Sequence, residues 1–186
     1  MTGAPKVLLH TKDGEVAQRI LQARHPDIEP VLCDSYAALA GVVAEHQPEV
    51  VFSNRFDPRP YPREAVIGPA SVRWVSNGGS GVNHLMPWDP AAVTVTNSAG
   101  VAAGAMAEYA LGAFLHFAMD VPGMVRDQAA RHWDMGRVMR PLAGAVLLIV
   151  GLGKTGSRMA ALGDGLGMEV IGMRARPQPT PHVGQV

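Results

Sequence analysis

Two groups of residues have types and spacings suited to holding a phosphorylated ligand. The first is Gly151-Leu-Gly153-Lys154-Thr155-Gly156, which fits G-x-G-x-x-G. The first glycine of such a run permits a tight turn, the second lets a pyrophosphate approach the backbone, and the third lets helix and strand pack closely. A helix N-terminus behind the turn adds free N–H groups and the positive end of its dipole. The motif carries weight only between a strand and a helix. That context is present: an apolar run Val146–Val150 precedes it, a helical pattern covers about Thr155 to Leu166, and Met168 to Met173 forms a second strand. Gly153-Lys154-Thr155 also resembles the end of a P-loop. That motif needs a glycine five positions earlier, where Leu148 stands, so an NTPase is excluded.

The second group is Arg174 and Arg176, at the end of that second strand. In an NAD site an acidic residue there binds the ribose hydroxyls. A guanidinium instead suits a phosphate, so the expected cofactor is NADP in preference to NAD.

The elements that must position these groups alternate along the chain. Val7–His10, Pro30–Cys33, Val50–Phe52, Val72–Val75 and the β-branched Val93–Thr96 read as strands. Glu15–Arg24 and Tyr36–His46, the latter with Ser35 as N-cap, read as helices. Asn54 to Pro69 is proline-rich, with no element assigned. Strands separated by helices imply a mostly parallel sheet covered by helices. A long apolar helix follows over roughly Ala103 to Met119. After Pro122 comes an amphipathic, charged segment, and Arg140-Pro141 opens the glycine-turn unit. The tail from Arg174 carries alternate prolines and no helical period.

Composition narrows the class. The chain has 186 residues, is 47% hydrophobic and 17% charged, and balances sixteen Lys and Arg against sixteen Asp and Glu. It has the apolar content for a packed core and no basic field for nucleic acid or an anionic membrane. Ten aromatic residues offer no base-stacking platform. One cysteine, Cys33, rules out an intrachain disulfide or a cysteine zinc cluster and reads as a small core hydrophobe. Val101–Met119 is interrupted only by Glu108 and His116. A charge near its middle costs about 2.5–3.5 kcal/mol on insertion scales, so it reads as a helix buried in protein. The expectation is a soluble cytoplasmic protein.

Three further stretches combine into a resemblance. They are Asn77-Gly-Gly-Ser-Gly-Val-Asn-His84, then Val93-Thr-Val-Thr-Asn-Ser98 with Met106-Ala-Glu-Tyr109, and Arg140-Pro-Leu-Ala-Gly144. Together, from about residue 50 to 174, they resemble the D-isomer-specific 2-hydroxyacid dehydrogenase family: its glycine-rich substrate loop, its crossover into the interdomain helix and the entry to its cofactor domain. The resemblance implies a flavodoxin-like parallel-sheet substrate domain over residues 1–100. An interdomain helix and dimerisation arm would occupy 101–140, and an incomplete, doubly wound Rossmann domain 141–186. It implies two domains meeting at a cleft, a homodimer, and NAD(P)-dependent reduction of a small 2-keto acid.

By the same carry-over Gly79, Ser80 and Gly81 would offer backbone N–H groups to the substrate carboxylate, consistent with a glycine-rich loop forming an anion nest. Gly151, Gly153, Lys154, Thr155 and Gly156 would hold the pyrophosphate. Asn83 departs from the family, which commonly has Asp there. The family's catalytic Arg, Glu and His lie beyond the second strand of its cofactor domain, so no residue here is named catalytic. The chain reads as truncated before them, with its own turnover in doubt. The alternative is a non-catalytic dinucleotide-binding or interaction protein derived from the family.

Overall fold

The structure, a computed structural model, describes residues 3–186 and divides into two compact units, Met1–Ala99 and Gly100–Val186. In the first, strands β1 (Val7–His10), β2 (Val31–Cys33), β3 (Val50–Ser53), β4 (Trp74–Asn77) and β5 (Thr94–Asn97) form one parallel sheet. Their order is β2-β1-β3-β4-β5, which is the flavodoxin-like order. Helices α1 (Gly14–Gln22), α2 (Leu39–His46) and α3 (Glu64–Ile67) lie between strands. A parallel strand covered on both faces must be apolar throughout, and all four residues of β1 are buried. Leu8, Leu39, Val43, Val51, Val66 and Val75 fill the core, and Cys33 lies among them.

Two strands start later than their apolar runs suggest. Val72 and Val93 are buried, but their N–H groups bond to Pro69 and Asp89 in turns. Burial therefore begins before the ladder does. Ser35 Oγ accepts a bond from the Ala38 N–H at 3.4 Å, yet regular helix starts only at Leu39. The proline-rich passage contains a helix that the sequence did not reveal. Only one of its residues, Val66, is buried, and it fixes α3 to the core.

The second unit comprises α4 (Ala103–Ala118), α5 (Val121–Ala130), β6 (Val146–Val150), α6 (Lys154–Gly165) and β7 (Glu169–Met173). Strands β6 and β7 pair in parallel, giving the βαβ opening of a Rossmann fold. Leu147 and Ile149 enter the core with Leu152, Met159, Ala160 and Val170. Val146, Leu148 and Val150 stay exposed on the other face of β6.

The expected burial of the long apolar helix is corrected. Within α4 only Ala103 and Ala107 are buried, and Tyr109 is 82% and Phe117 74% exposed. Helix α4 packs through one narrow stripe, Ala107 with Ala110 and Leu111, so its hydrophobicity exceeds its packed area. Glu108 sits outside that stripe and is exposed. Among the described residues, no helix is long and apolar enough to cross a membrane. The proline-rich tail also pairs: Gly172 donates to Gln185 O at 2.8 Å and Gly184 to Val170 O at 2.9 Å, beside β7.

Candidate functional site

The glycine turn leaves β6 at Gly151, whose φ of +102° falls where a side chain is strained. A Cβ built on Gly153 would meet nothing within 4 Å, so the space in front of the turn is open. Gly156 is the opposite case: its Cβ would stand 2.0 Å from Gly151 O. The third glycine thus lets α6 start directly against the turn. The first helical bond runs from Ser157 N–H to Gly153 O at 2.8 Å. The N–H groups of Lys154, Thr155 and Gly156 precede the hydrogen-bond ladder and face outward at the positive end of α6.

Lys154 is exposed, its stem running beside Gly100, while Thr155 Oγ1 lies 3.9 Å from Met106 Sδ. A cavity of about 510 Å³ extends from Gly153 and Lys154 to Arg174 and Thr180. Arg174 Nη1 donates to Thr180 Oγ1 at 3.4 Å. Arg176 is exposed and does not line this cavity. One glycine missed in the sequence belongs here. A Cβ on Gly172 in β7 would come within 2.5 Å of Leu152, so that strand glycine lets Leu152 of the turn reach the core. An isolated glycine inside an apolar strand was the available signal.

The second site is the loop after β4. Asn77, buried at the end of that strand, donates through Nδ2 to Gly79 O at 2.7 Å and Gly81 O at 3.1 Å. Asn97 Nδ2 donates to Ser80 O at 2.9 Å, and the Ser98 N–H also reaches Gly79 O. Three consecutive carbonyls are thereby tied back. The N–H groups of Gly79, Ser80 and Gly81 donate to no protein group among the described residues. Gly78 gives room to the Asn54 side chain, whose Oδ1 would stand 1.5 Å from a Cβ there and would have to turn away.

Gly79 and Gly81 line a cavity of about 210 Å³ with Asn54, Arg55, Asn77 and His84; Ser80 does not. Burial, then the nearby Arg55 charge, lowers the pKa of His84 below its ordinary value. Asn83 is exposed in the short 3₁₀ turn Asn83–Leu85.

A buried network beside this loop was not read from the sequence. His10, at the end of β1, has Nδ1 2.7 Å from Ser53 Oγ, which lies 2.7 Å from Tyr61 Oη. Burial lowers the His10 pKa to about 4. Burial also raises Tyr61 to about 12, against the hydrogen bond from Ser53. All three groups are neutral near pH 7, and they join the carboxyl ends of β1 and β3 to the proline-rich passage. A histidine closing an otherwise apolar strand was the only signal.

These features define the class first: a flavodoxin-like α/β unit followed by the βαβ start of a dinucleotide-binding domain. Comparison with known proteins then shows what the chain is similar to. Residues 111–185 match the model of the D-isomer specific 2-hydroxyacid dehydrogenase NAD binding domain. The whole fold is similar to a D-isomer specific 2-hydroxyacid dehydrogenase family protein from Aeromonas salmonicida, with a TM-score of 0.80 at 24% identity over 97% of this chain and 57% of that one.

It is also similar to the Lactobacillus delbrueckii enzyme in its NAD-complexed form, with a TM-score of 0.76 at 16% identity over 97% of this chain and 57% of that one. A third is the Xanthobacter autotrophicus enzyme in complex with NADPH and MES, with a TM-score of 0.72 at 20% identity over 99% of this chain and 57% of that one. The resemblance read in the sequence holds. Over residues 111–185 it is a match to the family's NAD-binding domain, and over the remainder a likeness of fold. The chain spans about 57% of the length of these solved structures.

Proposed function

We propose that this chain holds the carboxylate of a small 2-keto acid on the Gly79–Gly81 loop and an NAD(P) pyrophosphate on the Gly151–Gly156 turn, for reduction of the keto group. When bound, the dinucleotide supplies the hydride. The observation that carries the reading is the set of loop carbonyls turned back onto Asn77, Asn97 and Ser98, which leaves consecutive N–H groups without an acceptor among the described residues. A carboxylate fits such a concavity of amides. At the turn, Gly153 leaves room for the pyrophosphate, and the N–H groups of Lys154, Thr155 and Gly156 complement its charge.

NADP is the preferred dinucleotide in this reading. Arg174 borders the same cavity as Gly153 and has no carboxylate partner among the described residues, so its guanidinium can meet a 2′-phosphate. Exposed Arg176 stands close by as a second, looser cation. The chain also acts as a homodimer in this reading. Val125, Trp133, Met135 and Val138, in α5 and the segment after it, are each more than half exposed, and an apolar surface of this kind suits a protein partner. A monomeric sedimentation mass at tens of micromolar counts against dimerisation.

The cofactor reading is tested by equilibrium titration of NADPH and NADH, followed by nucleotide fluorescence. NADPH should bind more tightly, and Arg174→Asp should reverse the order. One charge-assisted hydrogen bond contributes roughly 1.5–3 kcal/mol, about tenfold or more in affinity. Equal affinities in the unsubstituted chain remove the NADP preference, and binding of neither nucleotide removes the reading of the turn.

A further inference from the structure

The passage Asn54–Pro69 carries three arginines with different surroundings. Arg59 forms an ion pair with Asp57. Arg63 pairs with Glu64 and donates to the Leu85 and Pro87 carbonyls. Arg55, the one that lines the substrate-loop cavity, has no carboxylate within 4 Å and donates no hydrogen bond among the described residues. No aliphatic or aromatic carbocyclic side chain lines that cavity. Its wall apart from the glycines is Asn54, Arg55, Asn77 and His84, and Asn77 is already committed to the loop carbonyls. A keto acid with an alkyl tail would find no apolar surface there and would strip water from a guanidinium with nothing in return.

Resting on the loop reading above, we propose that the 2-keto acid carries a second anionic group at its far end, a carboxylate or a phosphate, and that Arg55 binds it. His84 assists as a neutral hydrogen-bond donor, since burial and the Arg55 charge both disfavour its protonation. Held edge-on to Tyr61 with ring centroids 4.8 Å apart, it is fixed in the cavity wall. A free guanidinium facing a small polar cavity selects a second anion by charge and by paired donors.

The test compares ligands matched in carbon number that differ in the terminal group. The 186-residue chain is titrated with 2-oxoglutarate and 2-oxovalerate, and with 3-phosphohydroxypyruvate and hydroxypyruvate, following the Gly79 and Gly81 amide signals by NMR. The doubly anionic member of each pair should bind about tenfold or more tightly. The pair that shows the larger ratio identifies carboxylate or phosphate. Arg55→Gln should bring the ratio close to one, and Arg55→Lys should retain part of it. Because Arg55 is exposed and unpaired, neither change threatens folding. Loop signals that move with no ligand refute the loop reading, and this inference with it. Equal affinity within both pairs overturns the inference alone, as does an Arg55→Gln variant that loses affinity equally for both members of each pair.

Discussion

The third glycine of the Gly151–Gly156 turn gives the sharpest structural test. In Gly156→Ala the helix gains propensity, worth about 1 kcal/mol. Against that gain, the new Cβ would stand 2.0 Å from Gly151 O, 3.1 Å from Gly151 C and 3.2 Å from Ile149 Cγ2. The first two obstacles are backbone and cannot rotate away, so α6 and the turn must separate by about 1 Å to reach a tolerable contact. Overpacking of this kind costs about 1–3 kcal/mol, occasionally more, and rigid backbone places the cost at the upper end. The net loss is about 1–2 kcal/mol. At about 4–8 °C per kcal/mol for a domain of 60–100 residues, the second unit should melt roughly 5–15 °C lower.

The internal control is Gly112→Ala in the middle of α4. Its Cβ meets nothing within 4 Å, so the same substitution should stabilise by about 0.5–1 kcal/mol. Thermal unfolding followed by circular dichroism, on both variants beside the parent chain, separates the two effects. A Gly156→Ala chain that unfolds at or above the parent temperature would refute the reasoning, because it would mean that the turn and helix are not in the close contact described.

Two further outcomes follow from the first unit. In Asn77→Asp the donor to Gly79 O and Gly81 O becomes a carboxylate facing two carbonyls, so the loop should open and keto-acid binding should fall at least tenfold, about 1.4 kcal/mol or more; unchanged titration curves count against the tied-back loop. Burial lowers the His10 pKa to about 4 in the fold, from an ordinary value of 6.5. The unfolded chain therefore binds more protons between those values, and stability present above pH 6.5 is lost as pH falls towards 4. The loss is at most about 3 kcal/mol. Urea midpoints at pH 7 and 4.5 should converge in His10→Gln, and an equal drop in both chains would assign the acid sensitivity elsewhere.

Most of the fold was legible because its signals are local. The run Val7–Leu9 is apolar at every position before His10 closes the strand, as suits a strand buried on both faces, and the glycine turn sits between unmistakable flanks. The order of strands in the sheet came from the family resemblance and not from the runs themselves. Helix α4 was misjudged because hydrophobicity records what a residue could bury, and only the stripe through Ala107 and Ala110 has a partner. The small helix α3 hid among prolines, held by the single buried side chain Val66. Arg55, now the most informative side chain of its cavity, stands in a passage to which no element was assigned.

The Gly78–Gly81 loop shows most clearly where local reading stops. Its composition, Gly78-Gly-Ser-Gly81, announces backbone access but leaves open whether N–H or C=O groups face the ligand, and only one choice binds an anion. That choice is made by residues distant in sequence. Asn77 and Asn97 are register partners at the carboxyl ends of β4 and β5, twenty positions apart along the chain. The parallel ladder sets their side chains beside one another, and their amides capture the carbonyls of Gly79, Ser80 and Gly81 between them. A shift of one residue in the β4–β5 register would turn one asparagine to the opposite face of the sheet and release part of that set. The polarity that the proposed anion site needs is therefore a property of strand pairing, and the buried valines Val75 and Val93, which help hold β4 and β5 in the core, act on the loop without touching it.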